Sequence, residues 1–338
     1  MKILITGTAG FIGHKLVKEL AVRDNVEIVG LDSINDYYEQ KLKYARLEDT
    51  GICEEQAGGG ELVQSRVYPN YRFVKMDLTD KEKLSQLFTE EHFTHVCNFA
   101  GQAGVRYSIE NPYSYVQSNV LGFLNILENC RSQKVDNLVY ASSSSVYGMA
   151  EHVPFSETDD TSHPVSLYAA TKKSDEVMAY AYSHLYGIQT TGLRFFTVYG
   201  PWGRPDMAPF KFMKAILDGR QIEVYNYGKM YRDFTYIDDI VKGVVKLLEF
   251  HSQDSVPASI YNIGCSQPVM LMDFIKTIEQ VTGKKADMKM IGMQAGDVVR
   301  TYADTTRLEQ GFGYKPSTSL KEGIEQFYKW YMDQYQKL

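Results

Sequence analysis

The sequence predicts an α/β fold, a doubly wound parallel sheet followed by a smaller C-terminal α/β lobe. Three observations carry this expectation. Short apolar runs alternate with stretches of helical period through roughly the first 200 residues. The first run, Lys2–Thr6, leads directly into a turn with glycines at Gly7, Gly10 and Gly13. After about Gly200 the alternation gives way to helices mixed with short strands.

In chain order, strands are expected at Lys2–Thr6, Val26–Leu31, Tyr71–Met76, His95–Phe99, Leu138–Ala141 and Thr190–Phe195. Helical period covers Gly13–Val22, Lys81–Thr89, Tyr113–Ser132 and Ser166–His184. The stretch from about Arg46 to Tyr71 reads as a flexible surface excursion, with Gly58-Gly59-Gly60 in its middle. Beyond Gly200, helices are expected at Phe210–Asp218, Ile237–Phe250 and Leu271–Thr282. Short strands are expected near Ile222–Tyr225 and Ile260–Ile263. The division that follows is residues 1–200, carrying the cofactor and the reacting groups, and 201–338, a lobe that closes over the ligand. Some strands and helices are expected to exchange between the two.

Composition narrows the class of function. A formal net charge of −6 argues against wholesale nucleic-acid binding. Cys53, Cys97, Cys130 and Cys265 are scattered without metal-ligand spacing, and the histidines form no cluster, so no metal is expected. That cysteine usage fits a reducing compartment, and no apolar run is long enough to span a bilayer. A cytoplasmic protein without a membrane partner is expected.

The glycine turn is of Rossmann type. Gly7 suits a tight turn, Gly10 admits a pyrophosphate close to the backbone, and Gly13 lets the helix pack on the strand. The phosphates would sit on the helix N-terminus, where free N–H groups favour an anion. Asp32 follows the second strand, where a carboxylate accepts ribose hydroxyls and repels a 2′-phosphate. NAD is therefore expected over NADP. Asp77 and Leu78 close the third strand, where an adenine contact would fall; Asp77 also reads as a helix N-cap.

Tyr168 and Lys172 are four residues apart and share a helix face. An ammonium beside a phenol favours phenolate, which gives Tyr168 the character of a base. Ser143, in the run Ser142-Ser143-Ser144-Ser145 past the fifth strand, can bond the same substrate hydroxyl. The set suits transfer of a hydride from a carbinol to a nicotinamide, with Tyr168 taking the hydroxyl proton.

Together with Arg194-Phe195-Phe196-Thr197-Val198-Tyr199-Gly200-Pro201, these motifs resemble the extended short-chain dehydrogenase/reductase family of sugar-nucleotide enzymes over nearly the whole chain. Within it, three segments resemble the UDP-glucuronate 4-epimerases: Ala103–Pro112, Thr197–Met207 and Arg232–Asp239. The glycine-rich insertion around Gly58 departs from the pattern. The resemblance implies a cofactor set of Gly7, Gly10, Phe11, Ile12, Gly13, Asp32, Asp77, Leu78, Ala100, Gln102, Asn119, Tyr168, Lys172 and Phe196. It also implies a homodimer, formed through the helices around Tyr113–Arg131 and Ser166–Tyr186.

The implied reaction oxidises C4 of a hexose, turns the keto-sugar over and reduces its other face. For a uronic acid the 4-keto form is a β-keto acid, so the site must restrain the carboxylate against loss of CO₂. Ser144, Ser145 and Thr197 are short hydroxyl donors that the resemblance brings there. Arg204 and Arg232 are the expected diphosphate ligands, Arg106 a ligand for carboxylate or phosphate, and Arg300, after Gly296-Asp297, a further cation. Tyr225 and Asn226 are expected beside uracil and ribose. Ser144-Ser145 stand where the 4,6-dehydratases carry an Asp-Glu pair, which disfavours dehydration. Thr197 stands where galactose-type epimerases carry Asn, which favours an acidic sugar. A UDP-hexose or UDP-N-acetylhexosamine 4-epimerase, a UDP-glucuronate decarboxylase and a non-catalytic NAD-binding protein remain as alternatives.

Overall fold

The computed structural model describes residues 1–150, 152–293 and 298–338. Its strands are β1 (Lys2–Thr6), β2 (Glu27–Asp32), β3 (Val63–Gln64), β4 (Tyr71–Lys75), β5 (His95–Asn98), β6 (Asn137–Ser143), β7 (Gln189–Phe195), β8 (Thr197–Tyr199), β9 (Ile222–Val224), β10 (Tyr231–Tyr236), β11 (Ala258–Ile263), β12 (Pro268–Met270) and β13 (Met288–Met290). The helices are α1 (Phe11–Leu20), α2 (Gln40–Asp49), α3 (Glu54–Ala57), α4 (Lys81–Glu91), α5 (Tyr107–Glu110), α6 (Pro112–Tyr115), α7 (Gly122–Gln133), α8 (Leu167–Tyr186), α9 (Ala208–Leu217), α10 (Ile237–Leu248), α11 (Leu271–Thr282), α12 (Thr306–Phe312) and α13 (Leu320–Asp333).

The main sheet has eight strands in the order β11-β7-β6-β5-β1-β2-β4-β3. All its pairings are parallel except β3 with β4. Strand β1 shows why it is central. Ile3, Leu4 and Ile5 are all 0% exposed. Period-two alternation sends Ile3 and Ile5 to one face, with Leu16, Val17 and Leu20 of α1. Leu4 goes to the other, with Leu84 and Phe88 of α4 and Ile126 of α7. The small lobe has its own core, with Phe210 and Met213 of α9, Phe274 of α11, and Phe327 and Trp330 of α13. No helix among the described residues is long and apolar enough to cross a membrane.

Three expectations change. First, residues 46–71 are not a flexible excursion. Arg46 lies in the last turn of α2, Leu47, Ile52 and Ala57 are buried against the sheet, and β3 pairs antiparallel with β4. The turn around Gly58–Glu61 is exposed, as are the outer residues of α3 and of the stretch after β3. Second, the run around Ile260–Ile263 does not belong to the small lobe: β11 pairs in parallel with β7 and extends the main sheet. Third, Tyr113–Ser132 is not one regular helix. Residues Val116–Leu121 form a π turn between α6 and α7. Gly296 and Asp297 lie outside the described residues.

Candidate active site

The strand order reverses between β1 and β5, which opens a crevice beyond the carboxyl ends of the strands. A cleft of about 1230 Å³ lies there. That exceeds the range of about 300–1,000 Å³ usual for one small ligand, so two can lie side by side. Its walls come from the loops after β1, β2, β4, β5, β6 and β7 and from α9 and β10 of the small lobe.

At the β1 end, Gly7 has φ +79°, and a Cβ there would lie 2.8 Å from the Ala100 nitrogen. A Cβ on Gly13 would lie 2.2 Å from the Gly7 carbonyl oxygen, so α1 can approach only without one. The N-cap Gly10 provides no side-chain cap, and Gly10, Phe11, Ile12 and Gly13 line the cleft, so the helix N-terminus faces the place where an anion would sit. Asp32 ends β2 and accepts from the Ala9 and Ile34 N–H groups at 3.0 and 2.8 Å. Asp77 accepts from the Thr79 N–H at 2.8 Å in a local turn; the N-cap of α4 is Asp80 instead. Leu78, Ala100, Gln102 and Phe196 also line this region. This is a fitting cradle for a dinucleotide with free ribose hydroxyls.

Asn119 is the exception. Its side chain is buried and bonds the Gln102 N–H at 2.7 Å, the Gln102 carbonyl at 3.0 Å and Thr171 Oγ1 at 2.9 Å. These partners occupy the amide, so Asn119 supports Gln102 from behind and does not line the cleft.

Helix α8 carries Tyr168 and Lys172, the expected reacting groups. Ser166 caps it by accepting from the Ala169 N–H at 3.1 Å. Tyr168 and Lys172 then fall one turn apart on the face that lines the cleft. Tyr168 is half-buried, its ring 6.1 Å from that of Tyr115. Lys172 is buried and donates to Asp175 Oδ2 at 3.1 Å. Burial raises the Asp175 carboxyl to about 7, against the opposing pull of Lys172. Opposite α8, Ser143 ends β6 and caps the short 3₁₀ turn Ser144–Tyr147; its Oγ accepts from the Ser145 N–H at 3.2 Å and the Ser145 hydroxyl at 2.9 Å. Ser143, Ser144, Ser145 and Thr197 share the cleft with Tyr168.

The small-lobe side is cationic. Arg204 and Arg232 reach the cleft, and so do Lys211, Lys214 and Arg220 of α9 and its exit, which sequence reasoning passed over. Arg204 is not a bare fork: it is paired with Asp206, Nε to Oδ1 at 3.0 Å, and Tyr37 also donates to Asp206 at 3.0 Å. Arg232 donates to the Tyr231 carbonyl at 2.9 Å. Arg106 donates to the Tyr225 hydroxyl at 3.0 Å and stacks on its ring, 4.4 Å from the centroid, so these two join the lobes at the mouth. Arg300 is not brought to the cleft; it is exposed, with its guanidinium 4.7 Å from the Tyr231 ring centroid. Asn226 also stays off the cleft wall and donates to the Lys229 carbonyl.

Lys43 was missed altogether. It lines the cleft near Asp32, is tied to the Asn35 carbonyl at 2.7 Å, and burial pulls it down to about 8. The only sequence signal was its place on the helical stretch after Asp32. Among the described residues, no group of three or more His, Cys, Asp or Glu side chains could hold a metal ion.

Comparison with known proteins agrees with this geometry. Residues 3–264 match the model of the NAD dependent epimerase/dehydratase family, and the chain belongs to that family. UDP-glucuronate 4-epimerase 4 of Arabidopsis thaliana is 45% identical, over 98% of this chain and 76% of that protein. The crystal structure of UDP-glucuronic acid 4-epimerase from Bacillus cereus, in complex with UDP-glucuronic acid and NAD, superposes with a TM-score of 0.88 at 30% identity, covering 99% of this chain and 100% of that one. UDP-glucose 4-epimerase of Thermotoga maritima, with UDP-glucose, gives 0.84 at 25% identity over 99% and 100%.

Proposed function

We propose that this member of the NAD dependent epimerase/dehydratase family is an isomerase that inverts C4 of a UDP-sugar, converting UDP-glucuronate to UDP-galacturonate. One observation carries the reading: Ser143, Tyr168 and Lys172 open onto the same cleft as the Gly7–Gly13 turn and Asp32. NAD bound there supplies a reversible acceptor for the C4 hydride. Asp32 and the first turn of α1 would hold its ribose and phosphates.

Tyr168 acts as base in the oxidation and as acid in the return, on the opposite face of the sugar. Lys172 sets an ammonium one turn along the same helix face, and Ser143 holds the reacting oxygen. Ser144, Ser145 and Thr197 hold the sugar carboxylate. A C–C bond perpendicular to the carbonyl plane is the one that breaks in a β-keto acid, and their grip keeps the carboxylate out of that orientation. Arg204 and Arg232 face the diphosphate, with Arg106 and Tyr225 closing the mouth.

The same reading makes the protein a homodimer. Ile109, Tyr113, Val116 and Leu121 around α5–α7, and Val177, Tyr180 and Leu185 on α8, are large apolar side chains left 45–79% exposed. Its cysteines are unpaired, which suits a reducing cytoplasm.

The deciding experiment incubates purified protein with UDP-glucuronate and resolves the products by NMR. UDP-galacturonate without CO₂ is expected. UDP-xylose, or turnover of UDP-glucose in its place, would sink the assignment.

A further inference from the structure

Arg46 has no part in the chemistry described so far, yet it is wholly buried, at 0% exposure. It lies in the last turn of α2, a helix whose apolar residues divide between two cores: Leu47 packs with the parallel sheet and Leu42 with the small lobe. Its guanidinium meets three segments of chain. Nη1 donates to the Ala9 carbonyl at 2.8 Å and to the Tyr38 hydroxyl at 2.7 Å. Nε and Nη2 both donate to the Trp202 carbonyl, at 3.2 and 2.8 Å, and Nη2 also to the Gly203 carbonyl at 3.2 Å.

None of these acceptors is a carboxylate. A buried cation held by neutral oxygens is costly, and an apolar side chain would fill the space more cheaply. The fork must therefore serve position. Ala9 lies inside the glycine turn, and its own N–H donates to Asp32. Trp202 has φ +64°, a sparsely populated conformation for a bulky residue. Two and four residues after it come Arg204 and Asp206, which line the small-lobe side of the cleft. A continuous series of hydrogen bonds thus runs from Asp32 through Ala9 and Arg46 to Trp202 and Gly203.

We propose that Arg46 is a positioning residue that couples the glycine turn to the Trp202–Asp206 segment, so that filling the cofactor half of the cleft tightens the nucleotide-sugar half. This rests on the reading that the halves take NAD and a UDP-sugar. Coupling of this kind is reciprocal, and each ligand raises affinity for the other by the same factor. Arg46 touches neither Tyr168 nor Lys172, so it acts on binding and leaves the chemical step alone.

The test uses the full chain and two variants: Arg46→Met, which removes charge and fork, and Arg46→Lys, which keeps charge and loses the fork. UDP binding is measured by calorimetry without and with saturating NAD, alongside steady-state kinetics. Wild type should bind UDP at least about fivefold tighter with NAD present. Both variants should bind it equally in the two states, with KM raised about tenfold and kcat within about threefold, because uniform binding is what is lost. If Arg46→Met does not fold, Arg46→Lys alone decides. A variant that keeps the wild-type ratio, however far its melting temperature falls, overturns the proposal, and so does a fall in kcat at unchanged KM. Wild type that shows the coupling but does not turn over UDP-glucuronate sinks the substrate assignment and leaves Arg46 in place.

Discussion

Asp175 and Glu176 are consecutive residues of one helix, both buried, and the structure treats them in opposite ways. Glu176 faces the sheet. It accepts from Arg194 Nε and Nη2 at 2.8 and 2.9 Å, from Ser142 Oγ at 2.7 Å and from Lys173 at 3.1 Å. Burial alone would raise it, but the bonds and charge of Arg194, then Ser142, hold it below the usual carboxylate range. Asp175 faces the Lys172 side and, among the described residues, has that one donor and no partner for its Oδ1. Here burial wins and the carboxyl rises to about 7. The difference separates two functions on one helix. The Glu176 side fastens α8 to β6 and β7, while the Tyr168, Lys172 and Asp175 side is left with spare polar capacity beside the cleft.

The largest effect should come from the cleft side. Tyr168→Phe removes the hydroxyl of the proposed base while keeping the ring against Tyr115. Turnover of UDP-glucuronate should fall by about 10²–10⁴-fold, the usual worth of a positioned acid–base group. The urea midpoint should stay at the wild-type value, and NAD should still co-elute with the protein. Activity within tenfold of wild type would take the base role from Tyr168 and leave the cleft side of α8 without a chemical purpose.

The sheet side predicts the reverse. Glu176→Gln leaves Arg194, 3% exposed, without its counter-ion. Breaking a buried pair from one side costs about 3–5 kcal/mol, which urea unfolding would register, with kcat at permissive temperature much less affected. Glu176 has a folded pKa below its unfolded one. Its contribution is therefore present above the unfolded value, about 4.3 for a free Glu, and is lost as pH falls through the folded value. A loss under about 1 kcal/mol at pH 7 would remove Glu176 from its fastening role.

How far the sequence revealed these two sides depends on the range of the interactions. Tyr168, Lys172 and the Gly7–Gly13 turn were legible because helix pitch and loop spacing are local, and the six leading strands because each is a buried run beside a turn. Partners distant in sequence were not. Arg194 was read only as part of a motif, yet it binds Glu176, 18 residues away. Arg46 reaches Trp202 across 156 residues, so its segment looked like a loop. Residues 258–263 lie beside β7 because parallel pairing is chosen by the tertiary fold, and chain order alone assigned them to the small lobe. Arg300 and Asn119 were placed in the site by motif position, which fixes where the backbone passes but not which partner takes the side chain. Lys43 escaped because the helix carrying it was not read as one.

The smallest effect is also the sharpest discriminator, because it depends on the bare oxygen. Asp175 has a folded pKa raised by burial to about 7, well above the usual carboxylate range. A raised carboxyl favours the fold fully below the unfolded pKa, and that favour is lost as pH rises through the folded one. Asp175→Asn keeps an acceptor for Lys172 and cannot ionise, so it escapes the loss. Its stability relative to wild type should therefore rise by about 1–3 kcal/mol between pH 5 and pH 8, read from urea midpoints at the two values. The sign is opposite to that for Glu176→Gln, which should be destabilised throughout this range. A difference that stays flat with pH would mean that Asp175 is ionised across it. The carboxylate would then be a second satisfied ion pair, and the two sides of α8 would not differ in kind.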